Sequence, residues 1–308
     1  MTNKQKMIAL VGYGNWGKKI ASTLLVDHGS VFICEPKVVE LPDSLKKVSW
    51  EDLLKNQEIE HVFLATPEET HFQLAKELLQ HGKNVFVEKP LTLKKNEAQE
   101  LCELARKKYK VLYCDYIFLF DSFAQKIKAL LDLNAIGTLK EVHSYRYSVD
   151  CVKPLIHVSD DLLIHDLYLG EFFYGQKVSS AVISNPVIKN FQILSARFDL
   201  HFSEHKKLLS FDSWIESTVK RELIIWGEGG IITWKKGISS NDELYLEVGD
   251  FKERVLVEGS PSSLEKSIHS FLMDCVQEGQ DQKEIRFESY IRHSEILEKI
   301  AHMRESSD

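Results

Sequence analysis

The stretch Met7–Leu25, MIALVGYGNWGKKIASTLL, decides the fold. A short apolar strand, Met7 to Val11, runs into Gly12-Tyr13-Gly14-Asn15-Trp16-Gly17 and then into KKIASTLL, whose apolar residues recur with helical spacing. Glycine pairs and triplets often mark ordinary turns, but here GxGxxG stands between a strand and a helix, the setting that gives it a physical meaning. Gly12 permits the tight turn, Gly14 lets a pyrophosphate approach the backbone, and Gly17 lets helix and strand pack closely. Asn15 and Trp16 open the helix, whose free N–H groups and positive dipole end suit phosphate. The expectation is a dinucleotide-binding domain.

Outward from this loop, the next strand, Ser30 to Cys34, ends at Glu35. An acid at this distance binds the adenosine ribose hydroxyls and repels the extra phosphate of NADP, so NAD is favoured. Lys37 works against that preference, and a solvated strand-end carboxylate is the plainer reading of Glu35. A helix around Trp50 to Lys55 and a strand from His61 to Ala65 follow. Thr66-Pro67 comes next, then a helix from about Thr70 to Gln80 that stops at Gly82. Strand ends of an open parallel sheet face the ligand crevice, which puts Thr66 and Pro67 at the nicotinamide end of the cofactor. A turn and helix start explains the proline equally well.

Gly82 to Leu91, GKNVFVEKPL, carries the chemistry. The strand Asn84 to Val87 reads as buried and ends at Glu88-Lys89-Pro90. A partly desolvated ammonium costs free energy unless it is paired, so a charge pair at this strand end implies that something is held there. Lys89 is the candidate active-site lysine beside a bound nicotinamide. The Lys89–Pro90 bond is of the kind in which cis peptides occur.

From about Phe118 the pattern changes. A helix from Asp121 to Leu131 leads to a strand, Lys140 to Val149, and a helix spans Asp161 to Phe173. Strands then follow at Val178–Ser184, Gln192–Leu200, Lys207–Trp214, Arg221–Trp226, Ile231–Lys235, Glu243–Val248 and Glu253–Val257, with a last helix from Phe287 to Met303. Strand after strand with turn signals predicts a largely antiparallel, open-faced sheet. The expected fold class is α/β, with a Rossmann domain over residues 1–117 and a substrate-binding and oligomerisation domain over 118–308.

Composition sets outer bounds. The 308 residues suffice for two domains, and 44% hydrophobic with 28% charged residues is ordinary for a globular chain. A net charge of −7 argues against a nucleic-acid partner. Cys34, Cys102, Cys114, Cys151 and Cys275 form no CxxC pair, which fits reduced thiols. No signal peptide or membrane span is apparent, so the expected location is cytoplasmic. His201 and His205 fall in a strand or turn, and no metal site is expected.

The motifs GYGNWG, ATPEETHFQLAKELLQHGKNVFVEKPLT and DLLIHDL together resemble the Gfo/Idh/MocA family of glucose-fructose oxidoreductase and inositol dehydrogenase relatives. Ala-Thr-Pro, His71 and Glu-Lys-Pro occur in family order and spacing. The resemblance implies a two-domain NAD(P)-dependent oxidoreductase acting on a sugar, sugar derivative or cyclitol, and Asp115 to Tyr147 looks most like members that act on nucleotide-linked sugars. It implies cofactor contacts from Thr66, Pro67, His71, Glu88 and Lys89. It also carries over Asp161 and His165 as the family's Asp-xxx-His pair, on one helix face at i and i+4. His165 would take the hydroxyl proton, Lys89 would stabilise the developing alkoxide, and Asp161 would orient His165 or a substrate hydroxyl. Helix-capping roles for Asp160 and Asp161 are the bland alternative. The chain departs from the family pattern at His157-Val158-Ser159, where glycines are common. It departs again at Asp115 and Tyr116, near the place of an Asn or His followed by Arg. A non-catalytic NAD(H)-binding sensor and a redox-neutral enzyme using NAD transiently compete with the dehydrogenase. A homodimer or homotetramer is the expected assembly.

Overall fold

The computed structural model describes residues 7–28, 30–37, 40–149, 156–202, 206–237, 241–259, 261–276 and 280–302. Cys151, His205 and Met303 fall outside them. The chain divides into two compact units, one running to Asp115 and including Leu264–Ser294, the other comprising Tyr116–Ser263 and the stretch after Ser294.

The first unit is built on β1 (Met7–Val11), α1 (Asn15–His28), β2 (Val31–Cys34), β3 (Leu45–Lys47), α2 (Trp50–Lys55), β4 (Ile59–Leu64), α3 (Glu68–Gln80), β5 (Asn84–Val87), α4 (Lys95–Lys108) and β6 (Leu112–Cys114). All six strands pair in parallel in the order β3-β2-β1-β4-β5-β6. The order reverses between β1 and β4, the switch point at which such sheets bind ligands. Helices on both faces explain why Asn-Val-Phe-Val of β5 is buried at every position. Ser49 caps α2 by accepting the Asp52 N–H, and Tyr109 ends α4 in a left-handed conformation.

The second unit begins with a single 3₁₀ turn, Ile117–Phe120, and α5 (Ser122–Asp132). Its strands are β7 (Leu139–Tyr147), β8 (Ser180–Lys189), β9 (Gln192–His201), β10 (Lys207–Ser213), β11 (Lys220–Gly227), β12 (Gly230–Lys235), β13 (Glu243–Val248) and β14 (Phe251–Val255). They form one sheet in the order β14-β13-β12-β11-β7-β10-β9-β8, antiparallel except for β7 with β10. Alternating burial along β7 and β9 marks one face as core. That face carries α6 (Ile164–Tyr174), which is buried along most of its length. The largely antiparallel sheet of the sequence reading is thus present, with strand ends shifted by a few residues.

Two differences have local causes. The helix read from Asp161 begins as a π turn over Ser159–Leu163 before α6, where Leu162, Leu163 and Ile164 are all buried. The chain also forms α7 (Ser263–Asp274) where the sequence reading assigns no element, and α8 starts at Gln280. Leu264, Ile268 and Phe271 of α7 are buried, and the serines between them blur the apolar period in sequence. Phe271 meets Phe63, Phe86 and Tyr113 with ring centroids 5.3–5.9 Å apart, an aromatic cluster under β4, β5 and β6. Tyr290 of α8 accepts the Cys114 N–H at 3.0 Å.

Candidate active site

The glycine loop has three different surroundings. Gly12 has φ +90°, and a Cβ on it would stand 2.4 Å from the Ala65 carbonyl oxygen. A Cβ on Gly17 would stand 2.2 Å from the Gly12 carbonyl oxygen. Both glycines are therefore required by packing. A Cβ on Gly14 would meet nothing within 4 Å, so space is left beside the loop at the position expected to face pyrophosphate. Asn15, Trp16 and Gly17 form the first turn of α1. Glu35 accepts the Tyr13 N–H at 2.9 Å on one oxygen and the Lys37 N–H at 3.0 Å on the other. These bonds hold the carboxylate beside the loop while each oxygen retains a lone pair for a ribose hydroxyl. The donor set fits an adenine dinucleotide: open backbone N–H groups at a helix start, and an acid at the second strand end.

At the end of β5 the Glu88 N–H donates to Leu64 O at 3.0 Å, and the Asp115 N–H donates to Val87 O at 2.8 Å. The Trp16 indole N–H donates to Glu88 Oε1. Asp115 is 1% exposed, and its Oδ1 accepts the Ser267 hydroxyl at 2.6 Å. Burial and then the neighbouring Asp115 carboxylate hold Glu88 well above the usual carboxylate range, with Lys89 opposing. Burial pushes Asp115 up to about 6, against the hydrogen bonds from Ser267 and Glu88 and the charge of Lys89. Lys89 follows directly, half-buried, and the Lys89–Pro90 bond is cis.

His71 is buried between two main-chain carbonyls, with Nδ1 2.8 Å from Pro90 O and Nε2 3.0 Å from Thr66 O. It thereby joins the Thr66-Pro67 turn to the segment after Lys89. Burial lowers its pKa, opposed by those two carbonyls. Thr66 Oγ1 accepts the Thr70 hydroxyl at 2.7 Å, and Pro67 is the cap residue preceding α3.

In the second unit, His165 is the second residue of α6. Its Nδ1 lies 2.7 Å from Tyr168 Oη, and its ring meets Phe118 edge-on at 4.8 Å. Tyr168 is buried, stacks on Tyr116 at 4.4 Å and accepts the Phe118 N–H at 3.4 Å. Asp161 sits in the π turn, while Asp160 accepts the His157 N–H at 2.9 Å in a capping role. Below them Asp166 is fully buried, accepting Arg146 Nη2 at 2.8 Å, Ser144 at 2.9 Å and Ser210 at 2.6 Å. A small pocket beside Phe118 is lined by Arg146, Arg221, Trp234 and Lys236.

The structure thus gathers Gly12, Gly14, Asn15, Trp16, Gly17, Glu35, Thr66, Pro67, His71, Glu88 and Lys89 in the first unit, and Asp161 with His165 in the second. Sequence reasoning misses Tyr168, Ser267 and the pairing of Asp115 with Glu88. Only Tyr168 had a local signal, one helical turn after His165.

Residues 6–116 match the family described as "Oxidoreductase family, NAD-binding Rossmann fold", GFO_IDH_MocA. Biliverdin reductase A of Mus musculus is 32% identical over 115 residues, 36% of this chain and 39% of that protein. The aligned regions span under half the length of the curated relatives. UDP-N-acetylglucosamine 3-dehydrogenase GnnA from Acidithiobacillus ferrooxidans superposes with TM-score 0.78 at 19% identity, over 97% of this chain and 96% of that one. KijD10, a 3-ketoreductase from Actinomadura kijaniata in complex with TDP-benzene and NADP, gives TM-score 0.81 at 16% identity, over 96% of each chain. At these identities the likeness shows a shared fold.

Proposed function

We propose, from the match of residues 6–116 to the Gfo/Idh/MocA oxidoreductase family, that the chain transfers a hydride between a nicotinamide and a secondary alcohol carbon of a sugar, sugar derivative or cyclitol. The observation that carries the reading is Lys89 at the end of β5, at the ligand edge of a parallel sheet whose glycine loop leaves Gly14 open. The bound nicotinamide supplies the hydride acceptor or donor. Lys89 hydrogen-bonds the substrate oxygen and stabilises alkoxide charge as it develops. His165 takes the hydroxyl proton at Nε2, with Nδ1–H donating to Tyr168 Oη to hold that tautomer. Asp161 orients His165 or a substrate hydroxyl. Glu35 supports NAD over NADP. KijD10, whose complex holds NADP, is the reason to measure both.

The aromatic and cationic lining beside Phe118 supports a ring-shaped, polar substrate, and the sugar-nucleotide name of GnnA supports a nucleotide-linked sugar among the candidates. The half-buried His143, Tyr145, Phe211 and Trp226 on the outer face of the second sheet support a homodimer or homotetramer, to be read by sedimentation. Among the described residues Cys34, Cys102, Cys114 and Cys275 are in no disulfide, which supports a reducing, cytoplasmic setting, and no helix is long and apolar enough to cross a membrane.

The test is nicotinamide absorbance with NAD and NADP against nucleotide sugars, aldoses and inositols. Lys89→Ala and His165→Ala should each lower turnover by about 10²–10⁴. Binding of NADH without turnover on any member of the panel defeats the dehydrogenase and favours a non-catalytic NAD(H) binder. Product formation without net change in absorbance favours the redox-neutral enzyme.

A further inference from the structure

Two acids, the half-buried Glu88 directly before Lys89 and the buried Asp115 after β6, stand within hydrogen-bonding reach of each other. Their other partners are all donors. The Trp16 indole, which has only an N–H to offer, donates to Glu88 Oε1, and the Ser267 hydroxyl donates to Asp115 Oδ1 at 2.6 Å. Among the described residues, Asp115 Oδ2, sealed from solvent, receives no N–H and no hydroxyl. Two ionised carboxylates would therefore face each other across a buried gap with nothing between them. One proton removes the conflict: Glu88 donates it to Asp115 Oδ2, and the remaining oxygens keep the donors they already have.

We propose that Glu88 and Asp115 share a single proton, and that this singly charged pair is a positioning unit tying Trp16 of the glycine loop to Lys89. The role of Lys89 in this statement rests on the function proposed above; the shared proton does not. The pair presents one negative charge to one ammonium, so Lys89 is balanced at the place where it meets substrate. The raised titration of both acids agrees with this arrangement. The groups facing the pair are Trp16 from α1, Lys89 after β5, Tyr113 from β6 and Ser267 from α7. Arg286 of α8 lies over the Tyr113 ring at 5.3 Å and is engaged by Asp274. Removing the shared proton sets two adjacent carboxylates against each other. Glu88 then swings from Asp115, and the contact with Trp16 is disturbed at the first turn of α1, where the cofactor phosphates are expected.

Infrared spectroscopy of the full chain tests the proton, and NADH titration tests the coupling. Wild type at neutral pH should show the C=O band of a protonated carboxylic acid. Glu88→Gln, whose amide keeps an acceptor for Trp16 and a donor for Asp115, should remove that band. Asp115→Asn should remove it as well, because an asparagine donates to an ionised Glu88 while still accepting from Ser267. Asp212 in the second unit is a further buried acid with a raised pKa, so the spectra are compared in an Asp212→Asn background, where the Glu88–Asp115 band should stay in place. As the band titrates away with rising pH, the NADH dissociation constant of wild type should rise about tenfold. Across the same range that of Glu88→Gln should change less than about threefold. A band that survives both Glu88→Gln and Asp115→Asn in the Asp212→Asn background overturns the proposal, and so does an identical pH dependence of NADH binding in wild type and Glu88→Gln. A protein that binds no NADH at any pH defeats the cofactor reading instead, while the band still decides the pair.

Discussion

Each unit buries an aspartate beside a second acid, and the two sites resolve the conflict by different means. In the second unit Asp166 is met by the Arg146 guanidinium and by the hydroxyls of Ser144 and Ser210. In the first, Asp115 has one serine hydroxyl and a glutamate. A guanidinium keeps its charge at any ordinary pH, and its ion pair with Asp166, together with the Ser210 hydroxyl, pins α6 to β7 and β10. A carboxyl can gain or lose its proton, so the Glu88–Asp115 pair responds to pH. The lesson is that burial alone does not say what a carboxylate does; the charge of its partner does. Asp212 shows the same rule within the second unit. It lies near Asp166, its Oδ1 has no hydrogen-bond partner among the described residues, and burial followed by the Asp166 charge raises its pKa well above the usual range.

The sharpest way to break this comparison is to remove one member of the Arg146–Asp166 pair. Asp166→Ala leaves a buried guanidinium unpaired and should cost about 3–5 kcal/mol in urea unfolding. Replacing both members, Arg146→Met with Asp166→Leu, should be neutral or stabilising, since well-packed apolar side chains avoid the desolvation of two ions. A double variant as unstable as Asp166→Ala would show that the serines, and not the ion pair, hold the site.

His71→Ala comes next. It deletes a buried ring that bridges the Thr66 and Pro90 carbonyls, and should cost about 1–3 kcal/mol while weakening NADH binding. Unchanged stability would mean that the two turns hold each other without it.

Asp115→Asn has a smaller effect that depends on pH. The folded-state pKa of Asp115 is raised from 3.8 to about 6, so the folded protein binds this proton more tightly than the unfolded chain. The stabilisation is fully present below about 3.8 and is lost as pH rises through about 6. Unfolding free energies of wild type measured from pH 4 to 7 should therefore fall relative to those of Asp115→Asn. Parallel curves would place Asp115 among ordinary ionised acids. The least change is expected from Asp212→Asn, which copies a protonated Asp212 and should stay within about 1 kcal/mol at neutral pH.

Legibility in the sequence followed the range of the interactions. Gly12 and Gly17 were readable because a strand-turn-helix of eleven residues contains both the tight turn and the carbonyls that a Cβ would strike. Lys89 was readable because a charged pair after Asn-Val-Phe-Val breaks an apolar strand at its end. The succession of strands separated by turn signals announced a largely antiparallel sheet before any pairing was known. By contrast α7 was hidden, because its serines interrupt the apolar period and its partners Phe63, Phe86 and Tyr113 lie far back in the chain. Asp161 and His165 looked like a simple i, i+4 pair, yet the π turn alters the spacing between them and the hydrogen-bond partner seen at His165 Nδ1 is Tyr168.

The sequence by itself determined the local devices: a glycine loop between strand and helix, an acid at the second strand end, and a lysine after the fifth strand. Each depends on backbone geometry that a few adjacent residues dictate. Only the tertiary structure decided the state of the acids. Trp16 lies 72 residues from Glu88, and Ser267 lies 152 residues from Asp115. Protonation follows from which donors and charges surround a buried carboxyl, and folding alone brings those distant groups to it.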